Sequence, residues 1–490
     1  MSFLMMQIKT WRSRMAALAL GLAAVLVILV PLEAQALPSF ARQTGQNCVA
    51  CHAGGQFPEL TPFGRMFKLT GYTIGERTLP LSVMGVAGVS SVANTSKSDA
   101  PDADFQKNFA PLLASGSLFV AGKVTNNIGA FAQITYNNYA VTNADGSFSG
   151  HSQADNMDFR YADHIVDGTR DWVYGVSLNN NPSVSDPWNT AAAWMQYVPV
   201  PSPTSYQFAD GAGVYPSFGS GGNIAGISAY TLWNKTIYAE LGAYRTANRA
   251  FSFMSAGIHD ANKKKLGGNN PYWRLALTHE WGPHNLMVGT LGMIAHVYDA
   301  GSDTANSDNL GRFRNNGIDA QYQYLLDPHT FTAQVAYMRQ AQTYSAATIA
   351  GAAPPYFLAD GATPVDPVHL SDTTNIFRAK MSYIYQAKYG GSLAFFNKTG
   401  TTNTLNQTAG FDATGQITSA DSTRVTGNLS GNPATRGFTY EAFWIPKQNV
   451  RIGAQYTAYN KFNGAANNYD GFGRNAKDNN TLFLYAWLAY

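Results

Sequence analysis

The sequence predicts an all-β fold, a transmembrane outer-membrane β-barrel of about 16 antiparallel strands, with a small α-helical segment at its N-terminus. Three observations carry this expectation. An export leader opens the chain, the connections between candidate strands alternate long and short, and the strands alternate apolar and polar side chains. In an outer-membrane barrel one face of each strand meets lipid and the other a wet lumen. Short turns lie in the periplasm and long loops outside.

Lys9, Arg12 and Arg14 form a basic start, Met15 to Val30 an apolar run of 16 residues, and Ala34-Gln35-Ala36 a small-x-small cleavage site. This is the layout of a cleaved signal peptide over 1–36, and the run is short for a membrane-spanning helix. Removing the leader takes away those three basic residues and Glu33, so the net charge falls from +3 to +1. That leaves no basic footprint for nucleic acid. Charged residues are only 13% of the chain, against 27 Tyr, 27 Phe and 9 Trp, a balance suited to a lipid-facing wall. No later segment is apolar for long enough to predict a helical span.

The chain has two cysteines, both in Cys48-Val49-Ala50-Cys51-His52. C-x-x-C-H is the attachment signature of a c-type haem. Two thiols three positions apart meet the two vinyl groups of one porphyrin, and the adjacent His sits under the iron. One covalently bound haem c is therefore expected, with Cys48 and Cys51 as thioether carriers and His52 as axial ligand. Met66 is the candidate second axial ligand, since a thioether opposite His raises the potential. Plain packing of Met66 is the other reading, and Met84, a lumen-facing His or an open site are rivals. The other histidines (His151, His164, His259, His279, His284, His296, His329 and His369) are scattered singly, with no metal-binding spacing.

Residues 37–78 form the haem segment. Pro38 to Thr44 predicts a short helix that delivers the cysteines, and Phe63 to Leu69 a second one behind Pro62. About 40 residues are too few to wrap a haem alone. The missing wall must come from the rest of the chain, which predicts a plug seated in a barrel formed by 79–490.

Candidate strands cover 79–94, 108–123, 128–138, 156–167, 172–180, 222–232, 236–244, 271–281, 284–298, 311–325, 329–342, 371–387, 391–399, 433–445, 449–459 and 479–490. An even count puts both ends of the barrel on the periplasmic side, where haem is attached. In the eighth strand Trp273, Leu275, Leu277 and Trp281 oppose Arg274, Thr278 and Glu280. In the twelfth, Phe377, Ala379, Met381 and Tyr383 oppose Arg378, Lys380 and Ser382. In the fifteenth, Val450, Ile452, Ala454 and Tyr456 oppose Arg451, Gly453, Gln455 and Thr457. The first set of each suits lipid and the second a lumen. The last strand ends on an aromatic, Tyr490, as barrels handed to the outer-membrane insertion machinery typically do.

The longest connection, 181–221, opens with Asn181-Pro182-Ser183-Val184-Ser185-Asp186-Pro187-Trp188-Asn189-Thr190 and continues through Pro199, Pro201 and Pro203. A long ordered loop usually has a task. It would fold inward to narrow the pore or cover the haem, with Trp188 near the porphyrin, or else remain a surface loop. Asp99, Asp102 and Asp104 in the first loop are candidates for a hard divalent cation, with ordinary solvation the simpler reading.

Phe40-Ala41-Arg42-Gln43-Thr44-Gly45, then CxxCH, then Leu60-Thr61-Pro62-Phe63-Gly64-Arg65 and Phe67-Lys68-Leu69-x-Gly71-Tyr72, resembles the fused monohaem cytochrome c–porins of Fe(II)-oxidising bacteria. The Asn-Pro-x-Val-x-Asp-Pro-Trp-Asn stretch is similar to theirs as well, whereas the barrel resembles the family in layout more than in motif. The resemblance implies an outer-membrane protein that takes electrons from extracellular Fe(II) and passes them through one haem to periplasmic carriers, a c-type cytochrome or a copper protein. Its activity would be that of an Fe(II) oxidase. The residues carried over are Cys48, Cys51 and His52. Two alternatives remain: a conduit with a donor or acceptor other than iron, and a haem-bearing porin for solute passage.

Overall fold

The computed structural model describes residues 38–55, 59–94, 108–109, 111–142, 148–190, 223–255, 265–299, 301–351, 370–403, 428–471 and 473–490. The leader, Asp99, Asp102, Asp104, the Pro199–Pro203 stretch, His259 and His369 lie outside the described residues.

Sixteen strands are formed: β1 Leu81–Val92, β2 Pro111–Lys123, β3 Ile128–Thr142, β4 Phe148–Val166, β5 Asp171–Asn179, β6 Ile224–Trp233, β7 Ile237–Thr246, β8 Asn270–Trp281, β9 His284–Tyr298, β10 Leu310–Leu326, β11 His329–Thr343, β12 Ser371–Tyr385, β13 Tyr389–Gly400, β14 Thr435–Lys447, β15 Val450–Lys461 and β16 Thr481–Ala489. They pair in sequence order into a closed barrel. β1 and β16 close it, antiparallel, from Met84 opposite Ala489 to Val92 opposite Thr481. Among the described residues no helix is long and apolar enough to cross a membrane.

The predicted strands all appear, and β9 has the predicted bounds. The largest difference is in the β3–β4 hairpin, which starts β4 at Phe148 and carries β3 to Thr142. Ser149-Gly150-His151-Ser152 has no apolar alternation, so the sequence pattern fades there. Backbone pairing needs no such pattern, and it continues to Thr142 opposite Phe148.

The predicted faces hold. On β8 the even positions Tyr272, Arg274, Ala276 and Thr278 are buried, while Leu275 and Leu277 are exposed. Leu241 is 70% and Ile318 62% exposed on the outer wall, values that suit hydrocarbon and not water. Trp233, Trp281, Tyr385, Tyr389 and Trp444 stand exposed beside the short turns. They form an aromatic girdle of the kind that marks a membrane interface. Local chemistry sets those turns. Asn234 and Lys235 both take positive φ, 49° and 52°, as a two-residue hairpin turn matched to strand twist requires.

Before β1 come three short helices: α1 Pro38–Thr44, α2 Cys48–Cys51 and α3 Pro62–Leu69. Thr61 caps α3 by accepting the Gly64 N–H at 3.1 Å, and Pro62 occupies its first turn. The segment lies at the short-turn end of the barrel. Arg42 donates to the carbonyls of Leu79 and Leu81. Gln43 accepts from the Lys123 backbone at 2.8 Å. Cys48 meets Gln448 of the β14–β15 turn, and Gly55 approaches Ala387 of the β12–β13 turn.

Candidate functional site

The CxxCH turn is held by its own backbone and by α3. The His52 N–H donates to the Cys48 carbonyl at 2.8 Å, and the Thr61 N–H to the Cys51 carbonyl at 2.9 Å. The Thr61 hydroxyl also reaches the Ala50 carbonyl. The Ala53 N–H donates to the Glu59 carbonyl at 2.8 Å, and His52 pairs with Leu60 as a β-bridge. Gly64 permits this approach: a Cβ there would stand 2.1 Å from the Cys51 carbonyl oxygen. α3 therefore rests directly on the backbone of the cysteine turn.

Cys48 is buried, Cys51 half-buried, and no disulfide joins them. Burial, with Cys48 alongside, pushes the Cys51 thiol up to about 11. The imidazole of His52 lies among densely packed atoms, although part of the residue remains accessible. That burial lowers it to about 4, against a partial offset from Glu59. At neutral pH the Cys51 thiol is thus protonated beside a neutral imidazole, the state in which His ligates iron. This chemistry fits a c-type haem.

The nearby barrel wall fits it too. A Cβ on Gly54 would run into Ile384, which clusters with Phe443 and Ile445. The Arg451 guanidinium lies 3.6 Å from the Phe443 ring centroid and pairs with Glu441 at 2.8 Å. Lys380 reaches Glu59 of the plug at 2.8 Å. Together they form an apolar patch beside the cysteine turn, flanked by two cations each paired with a glutamate. The sequence marks Lys380 and Arg451 as lumen-facing but does not tie them to the cysteines, because only strand closure brings β12–β15 to this side of the plug.

The opposite wall clamps α3. Arg65 donates to Asn285 Oδ1 at 2.6 Å and Gln323 Oε1 at 3.0 Å. Lys68 donates to the Asp186 carbonyl at 3.0 Å, and burial with Arg160 nearby lowers its pKa to about 8. Beyond α3, Tyr72 donates to Asp158 Oδ2 at 2.6 Å, the same oxygen that takes the Arg160 Nε at 2.7 Å. Arg274 grips Asp319 with both nitrogens at 2.6 and 2.7 Å. It also lies 3.5 Å from Asp186. The Arg160–Asp158 and Arg274–Asp319 side chains are fully buried, and removing one partner of such a pair costs about 3–5 kcal/mol.

The start of the 181–221 connection turns inward, one of the two courses expected for it. Pro182–Ser185 forms a short helix, α4, whose Ser185 carbonyl accepts from Arg160 at 2.8 Å. Trp188 is only 2% exposed. It lies between the guanidinium groups of Arg65, at 6.0 Å, and Arg274, at 5.6 Å, and meets Tyr238 edge-on at 5.3 Å.

Met66 packs against the cluster of Leu69, Trp188, Tyr230, Tyr238 and Met287. It follows Gly64 by two residues, about 200° around the helix. It thus faces the β5–β9 wall while Gly64 faces the cysteine turn. Met84 packs with Tyr485, Trp487 and Ala489 on the β1–β16 wall. His279 and His284 stack on Trp281 at the girdle, and His164 meets Asp171 at 2.7 Å beside a turn. Among the described residues no three His, Cys, Asp or Glu side chains group as a metal site.

No family model and no curated protein matches the sequence. Solved structures similar in layout include the outer-membrane channel DcaP of Acinetobacter baumannii, at 11% identity and TM-score 0.42, covering 84% of this chain and 96% of that one. OmpF of Salmonella typhi in complex with daunomycin aligns at 11% identity and TM-score 0.44, covering 84% and 97%. An anion-selective porin from Comamonas acidovorans aligns at 8% identity and TM-score 0.39, covering 84% and 99%.

Proposed function

We propose that the chain is an outer-membrane electron conduit. It would oxidise extracellular Fe(II) through one haem c held in the lumen and deliver electrons to a periplasmic c-type cytochrome or copper protein. The observation that carries this reading is the seat of the CxxCH turn. Its thiols and neutral imidazole lie inside the short-turn end of the barrel, beside a wall of Ile384, Phe443, Ile445 and Arg451. The exposed apolar wall and aromatic girdle support placement in the outer membrane. The resemblance of the N-terminal segment supports Fe(II) as donor.

In this reading Cys48 and Cys51 carry haem, His52 ligates its iron, and the bound group supplies one-electron chemistry. The chain does the rest. Gly64 and Thr61 fix the cysteine turn. Arg65, Lys68 and Tyr72 pin the plug across the lumen and exclude solvent. Lys380 ties the plug to the wall through Glu59, and Arg451, held by Glu441, covers the Phe443 ring beside the cysteine turn. Met66 serves packing and is not a ligand. A Met66→Ala variant is expected to keep the optical signature of the native haem ligation while losing about 1–2 kcal/mol of stability, since Met66 is only partly buried. Loss of that signature would restore Met66 as the sixth ligand.

A solute porin is the second reading, favoured by the sixteen-stranded ring itself. The clamped α3 weighs against it, because a passing solute would have to displace buried charge. Fe(II) added to the purified, oxidised protein at its growth pH is expected to raise the reduced haem α-band. If the haem stays oxidised under excess Fe(II), iron is not the donor. If no covalent haem is found, the conduit reading falls and the porin stands.

A further inference from the structure

The outer wall near the long-loop end carries a cluster that the conduit does not use. Arg312 and Arg314 are exposed on the outward face of β10, and Arg339 on that of β11. Register places them together. Arg312 is opposite His296 of β9, and Arg339 is opposite Asn316, the next outward residue after Arg314. No aspartate or glutamate occurs at the outward positions of β9, β10, β11 or β12. Asn316 and Asn375 flank the arginines, and Tyr337 donates to Asn375 at 3.0 Å.

Their depth follows from the strand. Tyr324 lies at the girdle end of β10, and Arg314 is ten residues further along the same outward face. A tilted strand climbs roughly 2.5 Å per residue, which puts Arg314 about 25 Å above Tyr324, the height of the apolar band. Ile318, four residues and about 10 Å below Arg314 on the same face, is a largely exposed apolar side chain, as the band requires. An arginine at mid-membrane costs about 2–4 kcal/mol and one at the interface about 0–1. Arg312 and Arg314 therefore stand at the upper edge of the band, and Arg339, level with Asn316 and about 5 Å lower, reaches that edge by extending its long side chain. Guanidinium groups bind phosphate through two parallel N–H donors.

We propose that Arg312, Arg314 and Arg339 form a binding site for the phosphate groups of an outer-leaflet glycolipid. The inference rests on the membrane placement proposed above. The mature full-length protein in phosphatidylcholine nanodiscs would be titrated with diphosphoryl lipid A, with dephosphorylated lipid A, and with inorganic phosphate as competitor. Wild type is expected to prefer the diphosphoryl form by about tenfold or more, with little competition from free phosphate. The triple variant R312Q/R314Q/R339Q should lose that preference, and R312K/R314K/R339K, which keeps the charge but not the paired donors, should keep only part of it. Equal preference in wild type and the glutamine variant overturns the site, as does competition by phosphate that leaves no lipid preference. If the triple variant does not enter discs, R314Q alone decides: a several-fold loss supports the site and no loss overturns it. A wild-type protein that fails to enter discs would overturn the membrane reading, a separate outcome.

Discussion

Replacing Cys48 and Cys51 together by serine is expected to abolish haem staining of the denatured protein while the barrel still folds. The two thiols are the only cysteines in the chain, so no other side chain can form the thioethers. The barrel should survive because its closure depends on strand pairing from β1 round to β16 and not on α2. The serine variant should run as a compact, heat-modifiable species and show no Fe(II)-dependent rise in the α-band. Haem that persists through denaturation in the double variant would exclude CxxCH as its attachment site.

Deleting 38–78 is expected to turn a poorly conducting barrel into a conducting one. The deletion removes Arg65, Lys68 and Tyr72 from the lumen, but the Arg160–Asp158 and Arg274–Asp319 pairs lie within the strands of the wall, and they keep their partners. The wall should therefore fold. Sixteen-stranded barrels are wide enough to leave an aqueous channel when nothing fills them. The α4 segment and Trp188 would still narrow it. Planar-bilayer conductance measures the effect: a large increase is expected, and equal conductance with and without the plug would show that solutes already pass around it.

The barrel was readable in the sequence because each strand writes its own two-residue period. β8, β12 and β15 could be assigned inner and outer faces from their own residues alone. The period fails only where a hairpin leaves the membrane, as at Ser149 to Ser152. The CxxCH turn and the helix packed on it were readable for a similar reason, since their spacing is local. The clamp was not. Tyr72 meets Asp158 across 86 positions and Arg65 meets Asn285 across 220, and no local pattern announces such pairs. Trp188 shows the boundary between the two cases. Its loop was recognisable as one with a task, but its place between two guanidinium groups depends on α3 and β8 arriving together.

The pairing of β1 with β16 fixes an order of events. The ring of backbone hydrogen bonds is complete only when the sixteenth strand is available, and until then both margins present unmet N–H and C=O groups. Each such group costs several kcal/mol in hydrocarbon. Synthesis must therefore run through the final strand before the wall can settle in the bilayer. The plug is made first and waits through all of it. Any group it carries must be attached after export and before closure, while the cysteine turn is still open to the attaching machinery and not yet shut against β12 and β14.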